Sequence, residues 1–344
     1  MKSFSGIMSR IGIDLGSSQI RMYAGHSIIL SENSVALIRV ADESVAGFGV
    51  SALVDYHRTP EKYRLEWPVR HGVITDYYLT KAMLQYFLEK ALHRAVSRPS
   101  VMLSIPSRTS SVVRHAMIDA ALHAGSQHVY LIRASAAAVL GAKMSLSLPE
   151  AALALVVGQE VTDCGLYSCG GVVADGSIPF GGHDIDEGIR AYILETRQVL
   201  IGTEEAEEIK REIAAVTAPK EERAITVRGR RASDGMEVVL TLKNTEMFPV
   251  LQSLLLPAVR LLKRILRSAH PEMAADLLKN GMILAGGSSF LSGMDEWLSE
   301  ETGIPVTIPE APENVVAEGC FYALCDCRKL PDIVESGEMY YGKE

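Results

Sequence analysis

The chain has 344 residues, of which 48% are hydrophobic and 22% charged, and its net charge is −8. This length is sufficient for two domains with a sizeable core. The acidic balance excludes a nucleic-acid-binding role, because such binding needs a basic surface that neutralises phosphates. Five cysteines, an odd number, do not predict a disulfide framework. No apolar run reaches the roughly 18 residues that a membrane-spanning helix needs.

The first ten residues lack the apolar core of a signal peptide. They mix Lys2 and Arg10 with Phe4, Ile7 and Met8. This mixture is compatible with a weak membrane-surface segment, but it is more often found in a frayed terminal tail.

The first half of the chain alternates apolar runs with helical patterns. Residues 11–15 predict a buried strand that runs into a tight turn at Gly16. Residues 101–105 predict a second strand, residues 111–124 a helix and residues 129–132 a third strand. This β-α-β rhythm predicts parallel strands joined by crossover helices.

The same rhythm restarts near the middle of the chain. Residues 151–157 and 165–168 predict strands, and Gly170-Gly171 predicts a hairpin turn before a strand at residues 172–174. Two α/β units that each open with a strand and a glycine turn predict a duplicated architecture.

The next segment is predominantly polar. Residues 190–216 predict one charged helix, and Asp184 or Asp186 can cap its start. Residues 219–244 predict a small peripheral lobe with strands at residues 225–227 and 236–242.

Apolar patterns return in the last hundred residues. Residues 250–268 predict an amphipathic helix with a kink at Pro257. Residues 282–285 predict a strand that meets Gly286-Gly287.

The turn after the first strand is a candidate phosphate loop. Asp14 can hold a hydrated Mg²⁺, and Gly16 lets the backbone approach phosphate oxygens. Ser17 and Ser18 add N–H and hydroxyl donors. An ordinary strand-turn with a capping Asp is the structural alternative.

Gly286-Gly287-Ser288-Ser289 is a second candidate site. Two glycines between a strand and a predicted helix allow a flat adenine or ribose to lie on the backbone. The helix N-terminus would also favour anions. A tight strand-to-helix turn without a ligand is the alternative.

In their order and spacing, these segments resemble the actin/hexokinase/DnaK-type ATPase superfamily, and within it the bacterial actin MreB family. The resemblance covers nearly the whole chain. It extends to residues 68–76, 98–107, 201–210 and, most diagnostically, 271–306.

The resemblance implies an α/β, duplicated actin-like (ribonuclease H-like) fold with two lobes and a central nucleotide cleft. It also implies four subdomains with these bounds: residues 8–31, 73–147 and 320–344 in IA, 32–72 in IB, 148–180 and 247–319 in IIA, and 181–246 in IIB.

The resemblance implies ATP and Mg²⁺ as cofactors. It also implies that Asp14 contacts the metal ion through a water molecule. The implied nucleotide contacts are Gly16, Ser17, Ser18, Gln19, Gly158, Glu207, Lys210, Gly286, Gly287, Ser288 and Ser289.

Two departures from the family pattern affect hydrolysis. The second phosphate loop of the family reads Asp-Ile-Gly-Gly-Gly-Thr, whereas here Val156 replaces its Asp and Gln159 and Glu160 replace glycines. An inward Glu160 would also repel phosphates. The family also has a Glu that positions the attacking water, and Ala134 takes its place in this chain. Because such a carboxylate contributes about 10²–10⁴-fold to rate, we expect weak or no ATP hydrolysis.

As a function, the resemblance implies a cytoskeletal protein that assembles head to tail with itself or with MreB paralogues. Its partners would be the cell-wall synthesis machinery, and it would determine cell shape from the cytoplasm or the inner face of the membrane. A non-polymerising adaptor and a sugar or acid kinase are the alternatives, and the altered second loop counts against the kinase.

Overall fold

The computed structural model of the chain describes residues 10–92 and 98–340. The expected membrane-surface segment at the N-terminus therefore lies almost wholly outside the described residues. Within these two ranges, no helix combines the length and the apolar character that crossing a membrane requires.

A mixed sheet of six strands organises the first half of the chain. In spatial order its strands are β19 (Val334–Ser336), β10 (His128–Arg133), β9 (Ser100–Ile105), β1 (Arg10–Leu15), β2 (Gln19–Ala24) and β3 (Ser27–Asn33). The pairs β1–β9 and β9–β10 are parallel, and β1–β2–β3 form an antiparallel meander.

A second sheet of five strands repeats this plan. In spatial order its strands are β18 (Val306–Thr307), β17 (Met282–Ala285), β11 (Ala152–Val157), β12 (Thr162–Ser168) and β13 (Gly171–Ile178). Here β17 runs parallel to both β11 and β18, and β11–β12–β13 form the antiparallel meander. The predicted duplication is therefore confirmed.

Three small sheets lie outside this pair. They contain β4 (Ala36–Arg39), β5 (Val45–Phe48) and β6 (Tyr63–Glu66); β7 (Val69–Arg70) and β8 (Val73–Ile74); and β14 (Val199–Leu200), β15 (Ala224–Arg231) and β16 (Glu237–Lys243).

Ten α-helices cover and connect the sheets in the described residues. They are α1 (Val50–Arg58), α2 (Tyr77–Leu92), α3 (Ser111–His123), α4 (Ala134–Gly141), α5 (Gly182–Arg197), α6 (Thr203–Ile213), α7 (Asn244–Leu266), α8 (Pro271–Asn280), α9 (Met294–Thr302) and α10 (Val315–Cys325).

Two predicted helices differ from the observed ones. The single helix predicted for residues 190–216 is wrong, because α5 ends at Arg197 and α6 begins only at Thr203. Between them Gln198 takes a left-handed conformation and β14 joins the small sheet, which interrupts the helical hydrogen bonds. The helix α7 begins at Asn244, earlier than predicted, and contains both Pro249 and Pro257.

The three largest parts of the core are one for each of the two large sheets and a third between these two sheets. This central part combines side chains of β9 and β10 with those of β11 and β17, and it surrounds α4 and α10. The helices α4 and α10 therefore lie between the two large sheets and pack against both of them.

Glycines allow α4 and α10 to approach closely. A Cβ atom at Gly319 would lie 1.7 Å from the Ala137 carbonyl oxygen, and one at Gly141 would lie 2.0 Å from that of Val315. Both distances are far below van der Waals contact, so any side chain at these positions would force the helices apart.

We expect Gly319→Ala to destabilise the protein by about 2–3 kcal/mol, because this overpacking outweighs the better helix propensity of Ala. The control is Gly47→Ala, where a Cβ meets nothing within 4 Å. Chemical denaturation of both variants measures the difference. Equal unfolding midpoints would contradict the proposed role of this contact.

Candidate functional site

Two matched hairpin loops form the base of the candidate site. Leu15 pairs with Ile20 across the first hairpin, and the Gly16 N–H donates to the Gln19 carbonyl at 3.1 Å. Val157 pairs with Thr162 across the second hairpin, and the Gly158 N–H donates to the Val161 carbonyl at 2.9 Å. Each hairpin therefore closes a four-residue loop with the same geometry.

The loops border a cavity of about 550 Å³, which lies within the range of roughly 300–1,000 Å³ of small-molecule sites. The structure brings most of the predicted site residues together in its wall: Asp14, Gly16, Ser17, Ser18, Gln19, Gly158, Glu207, Lys210, Gly286, Gly287 and Ser288. Ser289 is not in this wall, and its buried hydroxyl donates to the Gly286 carbonyl at 2.6 Å.

Asp14 lies at the end of β1, beneath the first loop. Its Oδ1 atom accepts a hydrogen bond of 2.7 Å from the Ser104 hydroxyl. Burial raises the pKa of Asp14, against the Ser104 hydrogen bond and the positive charge of Arg21, which act to lower it. Asp14 and its partner Ser104 both line the cavity.

Asp163 is a cavity residue that the sequence did not single out. It lies on β12 and accepts hydrogen bonds from the backbone N–H groups of Ser107, at 2.7 Å, and Ser135, at 3.0 Å. Burial raises its pKa to about 6, although both donors act to lower it. Because Ser107 follows β9 and Ser135 lies on α4, this carboxyl connects the second sheet to elements of the first.

The second loop carries a carboxylate, Glu160, at a position where the sequence resemblance predicts glycine. Glu160 is buried, and its Oε2 atom accepts a hydrogen bond of 2.7 Å from the His71 N–H. Its Oε1 atom lies 3.2 Å from the Arg70 guanidinium. Burial acts to raise its pKa, but the His71 N–H, the Ser17 hydroxyl and the charge of Arg70 outweigh it and hold the pKa below its usual range.

The other replaced positions also face the cavity. Val156, Gln159 and Ala134 all line its wall, and Ala134 begins α4. An apolar side chain and a methyl group therefore stand at two positions where the sequence resemblance predicts carboxylates.

The helix α6 supplies the opposite wall. Glu207 pairs with Arg211 at 2.6 Å, and all three of Glu207, Lys210 and Arg211 line the cavity. The Lys210 ammonium donates to the Gly182 carbonyl at 3.1 Å and pairs with the buried Asp186 at 2.7 Å. Asp184, not Asp186, caps α5, since it accepts a hydrogen bond of 2.8 Å from the Gly181 N–H.

The glycine pair after β17 shapes the remaining wall. Gly286 has φ +91°, and a Cβ there would lie 2.4 Å from the Val157 carbonyl, so it packs directly on the strand before the second loop. A Cβ at Gly287 would meet nothing within 4 Å. The predicted helix after the pair is a short 3-10 helix, Gly287–Phe290.

The residues of the wall do not form a metal site by themselves. Within residues 10–92 and 98–340, no cluster of three His, Cys, Asp or Glu side chains could hold a metal ion. A magnesium ion held by the protein alone does not fit this arrangement.

Two features of the site were not predicted from the sequence, for different reasons. Asp163 is an isolated acid within an otherwise uncharged strand, and such an isolated buried charge was an available signal. Arg70 and His71 lie 90 and 89 residues from Glu160 in the chain, so no local pattern could pair them.

Two sheets of like topology with a cavity between their first hairpins define the actin-like class of two-lobed proteins. A sequence model of the family described as MreB/Mbl protein matches residues 8–331. The chain belongs to this MreB/Mbl family, as the sequence resemblance predicted.

Individual relatives agree with this assignment. The cell shape-determining protein MreB of Escherichia coli (strain K12) is 36% identical over 327 residues, which cover 93% of this chain and 94% of that protein. The cell shape-determining protein Mbl of Bacillus subtilis (strain 168) is 32% identical over 323 residues, which cover 93% and 97% of the two chains.

Solved structures share the fold. MreB5 of Spiroplasma citri bound to AMPPNP has a TM-score of 0.84 and 25% identity, with 93% of this chain and 97% of that chain covered. The same protein bound to ADP has a TM-score of 0.86. A MamK double helical filament, at 17% identity and a TM-score of 0.75 with 92% and 98% coverage, is similar in fold.

The raised pKa of Asp163 predicts a pH-dependent stability. The folded protein holds this proton up to about pH 6, whereas the unfolded chain loses it near pH 3.8. The contribution of Asp163 to the free energy of unfolding is therefore largest below pH 3.8 and is lost as the pH rises through about 6.

Relative to Asp163→Asn, the wild-type protein should gain about 2 kcal/mol of stability between pH 7 and pH 4.5. Denaturant unfolding of both proteins at the two pH values measures this gain. A constant difference between them across this range would show that Asp163 does not titrate as described.

Proposed function

We propose that this protein is an actin-like cytoskeletal subunit that takes part in cell-shape determination and binds an adenine nucleotide between its two lobes. The observation that carries the proposal is the pair of matched hairpin loops at one nucleotide-sized cavity, in a chain of the MreB/Mbl family. The named relatives are cell shape-determining proteins, which supports the cellular role.

The two solved forms of MreB5, with AMPPNP and with ADP, support nucleotide binding in this chain. Adenosine would lie between α6 and the turn at Gly286-Gly287, and the phosphates would lie between the two hairpin loops. Because the wall does not form a metal site of its own, Mg²⁺ would enter with the phosphates, and Asp14 would contact it through water.

Hydrolysis should be weak or absent. The wall has Val156 and Ala134 at positions where the family pattern has carboxylates that act on metal and water. Neither side chain can accept a proton or orient a water molecule. The nucleotide would therefore serve mainly to favour one arrangement of the lobes over another.

We also propose the four-subdomain division given above, with subdomains IA and IIA built on the two large sheets. The small sheets of β4–β6 and of β14–β16 would form the centres of IB and IIB. A nucleotide between IA and IIA would then contact both halves of the molecule at once.

Self-association is the partner interaction that the family supports best. We propose a head-to-tail contact, which repeats without closing and so produces filaments, alone or with MreB paralogues. Contact with the cell-wall synthesis machinery and a peripheral place at the inner face of the cell membrane are further parts of this proposal.

Nucleotide binding is testable at Gly287, where an added side chain would extend into open space in the cavity wall. Gly287→Val should weaken binding of fluorescent ADP at least about tenfold, a loss of about 1.4 kcal/mol, without lowering thermal stability. Gly47→Val, at an open position outside the cavity wall, is the matched control. Unchanged affinity in Gly287→Val would contradict the placement of the nucleotide.

Filament formation is testable by sedimentation with and without nucleotide. We expect the wild-type protein to pellet in a nucleotide-dependent manner, alone or together with Escherichia coli MreB, because closure of the lobes changes the surfaces that stack. The Gly287→Val protein should need at least about tenfold more nucleotide to pellet to the same extent. A wild-type protein that stays in the supernatant under all these conditions would instead be a non-polymerising adaptor.

A further inference from the structure

Glu160 is a buried carboxylate in a loop that we assign to phosphate binding. Its side chain is only 7% exposed, yet it lines the cavity rather than the core. A buried carboxylate is costly unless it is paired or accepts hydrogen bonds. The groups that compensate it therefore show what kind of ligand this end of the cavity is built for.

The compensating groups come from the other lobe. Glu160 lies between β11 and β12 of the second sheet, whereas Arg70 ends β7 and His71 follows it in the turn before β8. The Arg70 guanidinium also lies 5.2 Å from the centre of the Trp67 ring, a cation–π contact that helps to orient it. The carboxylate thus bridges the cleft between the two lobes.

The same donors reach the first hairpin loop. The Gly72 N–H donates to the Ser17 hydroxyl oxygen at 3.3 Å, and the Ser17 hydroxyl helps to lower the pKa of Glu160. Backbone N–H groups, a serine hydroxyl and an arginine are the groups that commonly bind a phosphate. In this chain they surround a carboxylate that is covalently part of the second loop.

We propose that Glu160 is a built-in anion that takes the place of a nucleotide's terminal phosphate, so that the site selects nucleoside diphosphates over triphosphates. This inference rests on the proposed nucleotide binding. A third phosphate would have to approach a fixed negative charge whose donors are already engaged, and the repulsion is strong at the edge of a low-dielectric cavity. A diphosphate would end before this carboxylate.

The experiment compares the affinities of ADP and AMPPNP by calorimetric titration with excess Mg²⁺. The proteins are the wild type, Glu160→Gln, Glu160→Gly and the control Glu187→Gln, which removes an exposed charge on α5 that is paired with Arg190 at 2.5 Å. Glu160→Gln removes the negative charge but keeps an oxygen that can accept from the His71 N–H.

The wild type should bind ADP at least about tenfold more tightly than AMPPNP, and both Glu160 variants should reduce this ratio to about threefold or less. The reduction should come from tighter AMPPNP binding, and Glu187→Gln should keep the wild-type ratio. AMPPNP binding that appears only in the Glu160 variants would also support the inference.

Other outcomes overturn it. Equal affinities in the wild type, or an unchanged ratio in Glu160→Gln, would reject the selection by Glu160 while leaving nucleotide binding intact. No binding of either nucleotide by any of the proteins would reject the proposed function as well.

One comparison needs no variant. The ratio of the two wild-type affinities is sufficient, because a fixed negative charge beside the third phosphate should disfavour AMPPNP whether or not any variant folds. Equal affinities of the wild-type protein for ADP and AMPPNP would overturn the inference even if a Glu160 variant failed to fold.

Discussion

The close contact between α4 and α10 is the constraint on which the rest of the structure depends. Gly141 and Gly319 let the two helices approach so closely that no side chain fits between them. Because both helices are packed between the two large sheets, this contact sets the distance between the sheets. That distance in turn places the two hairpin loops opposite each other, and the cavity between them follows from it.

Three carboxyl groups at this cavity are compensated by protein donors. Asp14 accepts from Ser104, Asp163 from the backbone of Ser107 and Ser135, and Glu160 from His71. Each group is therefore positioned by hydrogen bonds from the protein. Asp163 and Glu160 also connect the two halves of the molecule, so the charges at the floor of the cleft stabilise the arrangement of the lobes. On the function that we propose, the nucleotide would add to these contacts by binding both lobes at once.

The sequence predicted the parts of the fold that depend on local patterns. The strand at residues 282–285 and the restart of the β-α-β rhythm near residue 151 follow from apolar periodicity and glycine turns, and both were confirmed. The break between α5 and α6 was missed because β14 competes with the helix through pairing with the distant β15. Asp163 could have been singled out as an isolated acid in β12, but its partners and those of Glu160 were not predictable, since they come from other parts of the chain and depend on how the two sheets meet.

The central claim is that two matched loops hold an adenine nucleotide between the lobes without cutting it. A crystal structure of the chain with ADP and Mg²⁺ tests it most directly. The account predicts the base between α6 and Gly286-Gly287, with both phosphates between residues 16–19 and 158–161. Density for ADP at any other place on the protein, or phosphates that contact only one of the two loops, would contradict it.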